Sequence, residues 1–140
     1  MELSIIIPVF NQHQFTKQIL DDIPNKIKSQ YEIIVIDNGS DQLTKNLLKQ
    51  YDNITLIQFP QNEYVTKAWN IWVRVARWKY IMVCNNDITF PEWIDKRLIQ
   101  EYDWRIVWPM IHNIGDSHLT CHTWNINWTC LVKFLKVFGW

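Results

Sequence analysis

The stretch Leu3-Ser4-Ile5-Ile6-Ile7-Pro8-Val9-Phe10-Asn11, LSIIIPVFN, is almost continuous in Ile and Val until it ends on an amide. A short run without polar alternation is the pattern of a strand covered on both faces, as in a parallel sheet. Glu32 to Ile36, Ile54 to Phe59 and Tyr80 to Cys84 repeat it. Helical patterns lie between them: Phe15, Ile19, Leu20 and Ile23 before Pro24, then Leu43, Leu47 and Leu48, then Val65, Ala68, Trp69, Trp72, Val73 and Ala76. The order β-α-β-α-β-α-β predicts an α/β fold, a doubly wound, Rossmann-like and mostly parallel sheet flanked by helices, with right-handed crossovers. In open sheets of this kind ligands bind beyond the carboxyl ends of the strands, which is where Asn11, Asp37 and Asp87 fall.

Past Pro91 the same reading predicts a helix over roughly Glu92 to Glu101, with Trp93, Ile94, Leu98 and Ile99 as its apolar positions. Arg105 to Ile111 and parts of His118 to Leu135 read as further strands, with Asn113, Gly115 and Asp116 as turn formers between them. No linker or repeat interrupts residues 1–140, so one domain is expected. With 48% hydrophobic residues the chain can fill a core, and 14 basic against 14 acidic side chains give no electrostatic reason to expect nucleic acid or an acidic membrane as partner. Cys84, Cys121 and Cys130 are an odd number without C-x-x-C spacing, which argues against a disulfide framework or structural zinc and fits small core residues in a reducing compartment. The opening MELSIIIPVF has an acidic second residue and too short an apolar run for a signal peptide, and no segment reaches the length of a transmembrane span. A soluble, cytoplasmic protein is the expectation. All nine tryptophans lie from Trp69 onward, and core positions are expected for most of them.

Three strand ends converge on polar residues: Pro8-Val9-Phe10-Asn11, then Asp37-Asn38-Gly39-Ser40-Asp41, then Asn85-Asn86-Asp87. Each cluster alone is an ordinary turn or helix cap. Together on one sheet edge they would surround a single crevice with carboxylates and amides. A carboxylate such as Asp87 suits a hard divalent cation that bridges to nucleotide phosphates, and Asp37 could accept hydrogen bonds from a base N–H or a ribose hydroxyl. Neither a G-x-G-x-x-G nor a Walker lysine motif is present, so phosphate charge would fall to the metal, assisted by Lys67 or Arg74.

The blocks SIIIPVFNQ, IIVIDNGSD, NEYVTKAWNIW and YIMVCNNDITFPEW resemble, in order and spacing, the signature blocks of family 2 glycosyltransferases with the GT-A fold. The resemblance implies a nucleotide-diphosphate-sugar donor, Mn2+ or Mg2+, and inverting transfer to an acceptor hydroxyl; a UDP-sugar is the expected donor and the acceptor is unknown. It places Pro8, Phe10 and Asn11 in the loop lining the nucleotide pocket, Asp37 on the base, and Asn62, Lys67 and Asn70 beside the donor. Asn85-Asn86-Asp87 falls on the family's D-x-D metal motif, with an amide for the first carboxylate and Asp87 as the main ligand. Trp69 and Trp72 replace small residues usual in the third helix block. WTCLVKFLKVFGW resembles the strand and helix preceding a later acidic segment that supplies the base, and that segment and the acceptor region have no counterpart in residues 1–140. Asp116 and His118, in HNIGDSH, are the candidate bases, and His122 is a candidate for the metal shell. Two alternatives stand beside transfer: a donor-binding module or donor hydrolase without its own base, and a nucleotidyltransferase, whose glycine-rich first loop PVFNQHQ lacks. The apolar residues from Leu131 to Trp140 suggest a homodimer through the C-terminal segment.

Overall fold

The Ile/Val runs at Leu3–Val9, Tyr31–Asp37 and Tyr80–Val83 form strands buried on both faces, whereas Ile54–Gln58, expected to be covered likewise, lies at the sheet edge with Thr55 and Gln58 exposed. A computed structural model describes residues 2–63, 71, 75–77, 79–101 and 133–136. Within them lie β1 (Leu3–Val9), α1 (His13–Lys26), β2 (Tyr31–Asp37), α2 (Gln42–Leu48), β3 (Ile54–Gln58), β4 (Tyr80–Val83), α3 (Ile94–Glu101) and β5 (Lys133–Lys136). The sheet order is β3-β2-β1-β4-β5. The first three pairings are parallel, with Val9 beside Asp37, Asp37 beside Gln58 and Ile6 beside Val83, while β5 runs antiparallel to β4. The chain thus winds from β1 outward through β2 and β3, then returns to the other side of β1 as β4.

Side-chain alternation along β1 explains why no polar residue interrupts it. Leu3, Ile5, Ile7 and Val9 pack on one face with Ile33 and Val35, under Ile19, Leu20 and Ile23 of α1 and with Ile88, Phe90 and Ile94. Ile6 joins Ile34, Ile36, Ile81 and Val83 on the other, covered by Val75 and Ala76. Each fully buried Ile contributes roughly 1.5–3 kcal/mol relative to exposure, so β1 is the element the fold can least lose. Cys84 is buried, as expected for a core thiol.

Two boundaries differ from the sequence reading. α1 does not stop before Pro24 but carries it in its last turn, where the lost bond to the Leu20 carbonyl is tolerated because the Ile27 amide still closes on the Ile23 carbonyl at 2.9 Å. α3 begins at Ile94, two residues later than expected, because Trp93 takes a left-handed φ of 65° and starts the helix by accepting from the Arg97 amide. Trp93 is also 54% exposed, against the core position expected of most tryptophans, with the Lys28 ammonium 6.0 Å from its ring centroid. The other eight tryptophans, Cys121, Cys130, the strand expected over Arg105 to Ile111, and most of the third helix and of the proposed dimer segment lie outside the described residues. Among the described residues no helix is long and apolar enough to cross a membrane.

Candidate functional site

Because β2 and β3 lie on one side of β1 and β4 on the other, the direction of winding reverses between β1 and β4. Adjacent loops there diverge above and below the sheet and open a crevice beyond the strand ends. Phe10 and Asn11 form one lip and Asn85 to Asp87 the other.

After Val9 the chain turns sharply: Asn11 and Gln12 have φ of 58° and 56°, both left-handed. Consecutive left-handed residues without glycine are strained, and asparagine tolerates the region best. External bonds hold the turn, since the Asn11 amide donates to Ser40 Oγ at 2.9 Å and Asn11 Oδ1 accepts from the Asp41 amide at 2.8 Å. Pro8 is half-buried behind it and Phe10 is 46% exposed.

Asp37, the last residue of β2, is fully buried. Its Oδ1 accepts from the Ser40 amide at 2.9 Å and its Oδ2 from Gln58 Nε2 at 3.1 Å. Both oxygens therefore serve the turn and the neighbouring strand. The next residue links two loops: Asn38 Nδ2 donates to Asn62 Oδ1 at 2.9 Å, and Asn38 Oδ1 accepts from the Glu63 amide at 2.9 Å. Gly39 makes this approach possible, because at φ 77° a Cβ would lie 2.3 Å from the Gln61 carbonyl carbon. Asp41 then caps α2, accepting from the Thr44 amide at 2.8 Å, and that backbone bond holds its carboxyl below the usual range.

Past β4, Cys84 makes the last ladder contact, its amide donating to the Ile6 carbonyl at 3.0 Å. Asn85 is half-buried, Asn86 is buried with its Nδ2 donating to Thr16 Oγ1 at 2.9 Å, and Asp87 is exposed. Among the described residues the Asp87 carboxylate has no hydrogen bond or ion pair, and no group of three His, Cys, Asp or Glu side chains could cage a metal. A small divalent ion on a nucleotide needs no such cage, since one or two carboxylates plus substrate phosphates hold it. A free, solvent-facing carboxylate beside the Asn85 amide fits that demand.

The crest thus brings together Pro8, Phe10, Asn11, Asp37, Asn62, Asn85, Asn86 and Asp87, with Asp37 turned inward and Asn62 exposed at the rim. Lys67, Asn70, Arg74, Asp116, His118 and His122 lie outside the described residues. Sequence reading gave no role to Thr16 or Gln58, nor to Asn38 as the link to the Asn62 loop. Thr16 carried a signal: it sits three and four positions before Ile19 and Leu20, on the apolar face of α1, where a hydroxyl needs a reason.

The family described as Glycosyl transferase family 2 matches residues 4–126. An uncharacterized glycosyltransferase of Rickettsia bellii is 31% identical over 91 residues, 64% of this chain and 13% of that protein. The poly(ribitol-phosphate) beta-glucosyltransferase of Bacillus spizizenii is 31% identical over 94 residues, 62% of this chain and 15% of its own length. The chain therefore spans a small part of these relatives. Among solved structures, S. aureus TarS 1–349 in complex with UDP-GlcNAc superposes with a TM-score of 0.64 at 19% identity, covering 71% of this chain and 30% of that one. The mannosyltransferase PcManGT of Pyrobaculum calidifontis, in complex with GDP-Man and Mn2+, gives 0.59 at 19% identity over 64% of this chain and 28% of that one. At that identity the structures establish the GT-A architecture, and the match over residues 4–126 establishes the lineage: the chain belongs to glycosyl transferase family 2.

Proposed function

We propose that this chain is the donor-binding part of a metal-dependent, inverting glycosyltransferase that takes a nucleotide-diphosphate sugar, with a UDP-sugar as the expected donor, and passes the sugar to an acceptor hydroxyl. The observation that carries the reading is the exposed Asp87 carboxylate at the switch point, unpartnered among the described residues on a crest whose other polar side chains Asn11, Asp37, Asn38 and Asn86 are bonded within the fold. Family membership and the nucleotide-sugar ligands of the superposed structures support it.

In this reading Phe10 and Asn11 line the nucleotide side of the crevice, and Asp87 with Asn85 would hold Mn2+ or Mg2+. When bound, the ion neutralises the diphosphate and so favours its departure. Asp37 acts from beneath, fixing the turn that presents Asn38 and Gly39. A direct bond from Asp37 to the base requires the Gln58 amide to give up Oδ2. The acceptor proton falls to Asp116 or His118, with His122 as a further metal ligand; Lys67 and Asn70 complete the donor side.

Calorimetry with UDP in Mn2+ and in EDTA tests the binding claim, with tighter binding in Mn2+ expected. Equal affinity in the two conditions overturns the metal assignment. A panel of nucleotide sugars, with sugar transfer, donor hydrolysis and pyrophosphate release followed separately, distinguishes transfer from a binding or hydrolytic module and from nucleotidyl transfer.

A further inference from the structure

Between residues 85 and 92 the chain leaves the sheet and runs back along α1. Ile88 and Phe90 anchor it in the core, but among the described residues its one hydrogen bond to the rest of the molecule is Asn86 Nδ2 to Thr16 Oγ1, at 2.9 Å. Thr16 is fully buried, and its hydroxyl donates onward to the Gln12 carbonyl at 3.2 Å. A hydroxyl has one proton and two lone pairs, so a single oxygen completes both bonds without conflict. Gln12 belongs to the left-handed pair with Asn11, and Asn11 is tied in turn to Ser40 and Asp41. The loop bearing Asp87 is thereby joined through one threonine oxygen to the loop bearing Phe10 and Asn11.

We propose that Thr16 is a positioning residue: through Asn86 it sets the height and orientation of the Asn85–Asp87 turn against the nucleotide loop, so that the Asp87 carboxylate meets a divalent ion carried on a donor diphosphate. This rests on the donor-binding reading above. The argument is one of restraint. Asp87 is exposed and, among the described residues, unbonded, so its position follows from its two neighbours: Ile88 is held by burial, which fixes depth, and Asn86 by a hydrogen bond, which fixes direction. The restraint reaches across 70 positions of sequence to a helix whose own start is bonded to the second loop. A purely structural threonine would stabilise α1 without affecting where a carboxylate on another loop stands.

Thr16→Val keeps the side-chain shape and removes both bonds, whereas Thr16→Ser keeps the hydroxyl. Hydrogen exchange and UDP calorimetry, in Mn2+ and in EDTA, are measured on both variants and the wild type; Thr16→Ala serves if the valine variant does not fold. We expect amide exchange at residues 86–88 to accelerate about fivefold in Thr16→Val, and UDP affinity in Mn2+ to fall about fivefold, the loss that follows from one hydrogen bond of roughly 1 kcal/mol. Affinity in EDTA stays within about twofold, and Thr16→Ser behaves as wild type. A lower melting temperature with Mn2+-dependent affinity and exchange at 86–88 both intact overturns the proposal, as does an equal loss in Mn2+ and in EDTA. If wild type itself shows no Mn2+-dependent UDP binding, the donor-binding reading has failed; exchange at 86–88 then decides the restraint alone, and unchanged protection in Thr16→Val overturns it.

Discussion

Asp87 and Asp37 are both strand-end carboxylates, yet their surroundings assign them opposite work. Asp87 is exposed and, among the described residues, unpartnered, so Asp87→Ala should leave the fold within about 0.5 kcal/mol of wild type, as for surface substitutions generally, while removing most of the Mn2+ dependence of UDP binding. Asn85→Ala should remove less, because a neutral amide contributes less to an ion; paired titrations in Mn2+ and EDTA measure both. Asp37 is buried with two donors aimed at it; Asp37→Ala removes both acceptors, and the Ser40 backbone amide cannot reorient as the Gln58 side chain can. A buried donor left without an acceptor costs about 1–3 kcal/mol, which denaturant unfolding would show as a lower midpoint at unchanged slope. Asp41 adds a pH dependence whose sign is fixed. Its folded pKa lies below the ordinary carboxylate value because it caps Thr44, so its stabilising effect is full above that ordinary value and is lost as pH falls through the depressed one. Asp41→Ala should therefore flatten the acid limb of stability against pH and leave the neutral region's shape unchanged. Sequence position alone placed Asp87 at a strand end, but the inward turn of Asp37 depends on Gln58, a partner 21 positions away.

Elements were legible wherever burial on both faces left an uninterrupted apolar run: β1, β2 and β4 stand within about one residue of the sequence reading, the ordinary scatter of strand ends. Helix ends were less legible because they turn on contacts from outside the helix. Pro24 is accommodated in the last turn of α1, and α3 waits for Trp93 to supply its first carbonyl. The start of α3 shows how such an end is fixed. Asp95, fully buried in its first turn, accepts from the amides of Lys28 at 3.1 Å and Ser29 at 2.6 Å through Oδ2, joining α3 to the turn that leads into β2. Asp95→Ala strands both donors and should cost roughly 2–5 kcal/mol. Asp95→Asn keeps an oxygen for them and should cost less, since among the described residues the second carboxylate oxygen has no partner to lose. Equal losses in the two variants would mean that charge, not acceptance, is what the turn requires; urea unfolding of both separates the cases.

At the scale of the molecule, the sheet and its crest should differ in how they open. β1 is paired on both sides and covered on both faces, so its amides can exchange only when the whole sheet comes apart. The crest is held by links between loops, Asn11 to Asp41 and Asn38 to Asn62, and by one from a loop to α1, Asn86 to Thr16, across 30, 24 and 70 positions of sequence. Such links explain why the site's location could be read from strand order while its wiring could not: alternation places a strand end, but nothing in a linear pattern says which amide on one loop meets which hydroxyl on another. They also predict a two-level exchange profile. In the free protein the amides of Ile5, Ile6 and Ile7 should be the slowest, and residues 38–40 and 86–88 should open in smaller events well below the global free energy. On the proposed function UDP with Mn2+ binds the folded crest and not the unfolded chain, so at a hundred times its dissociation constant it should add about 2.7 kcal/mol to global stability. The added protection should be largest where ligand and loops meet, slowing residues 38–40 and 86–88 together, since each loop is tied to the one between them. Slowing confined to 86–88, with 38–40 unaffected, would show that the four loops respond to the ligand singly and that the crest does not act as one unit.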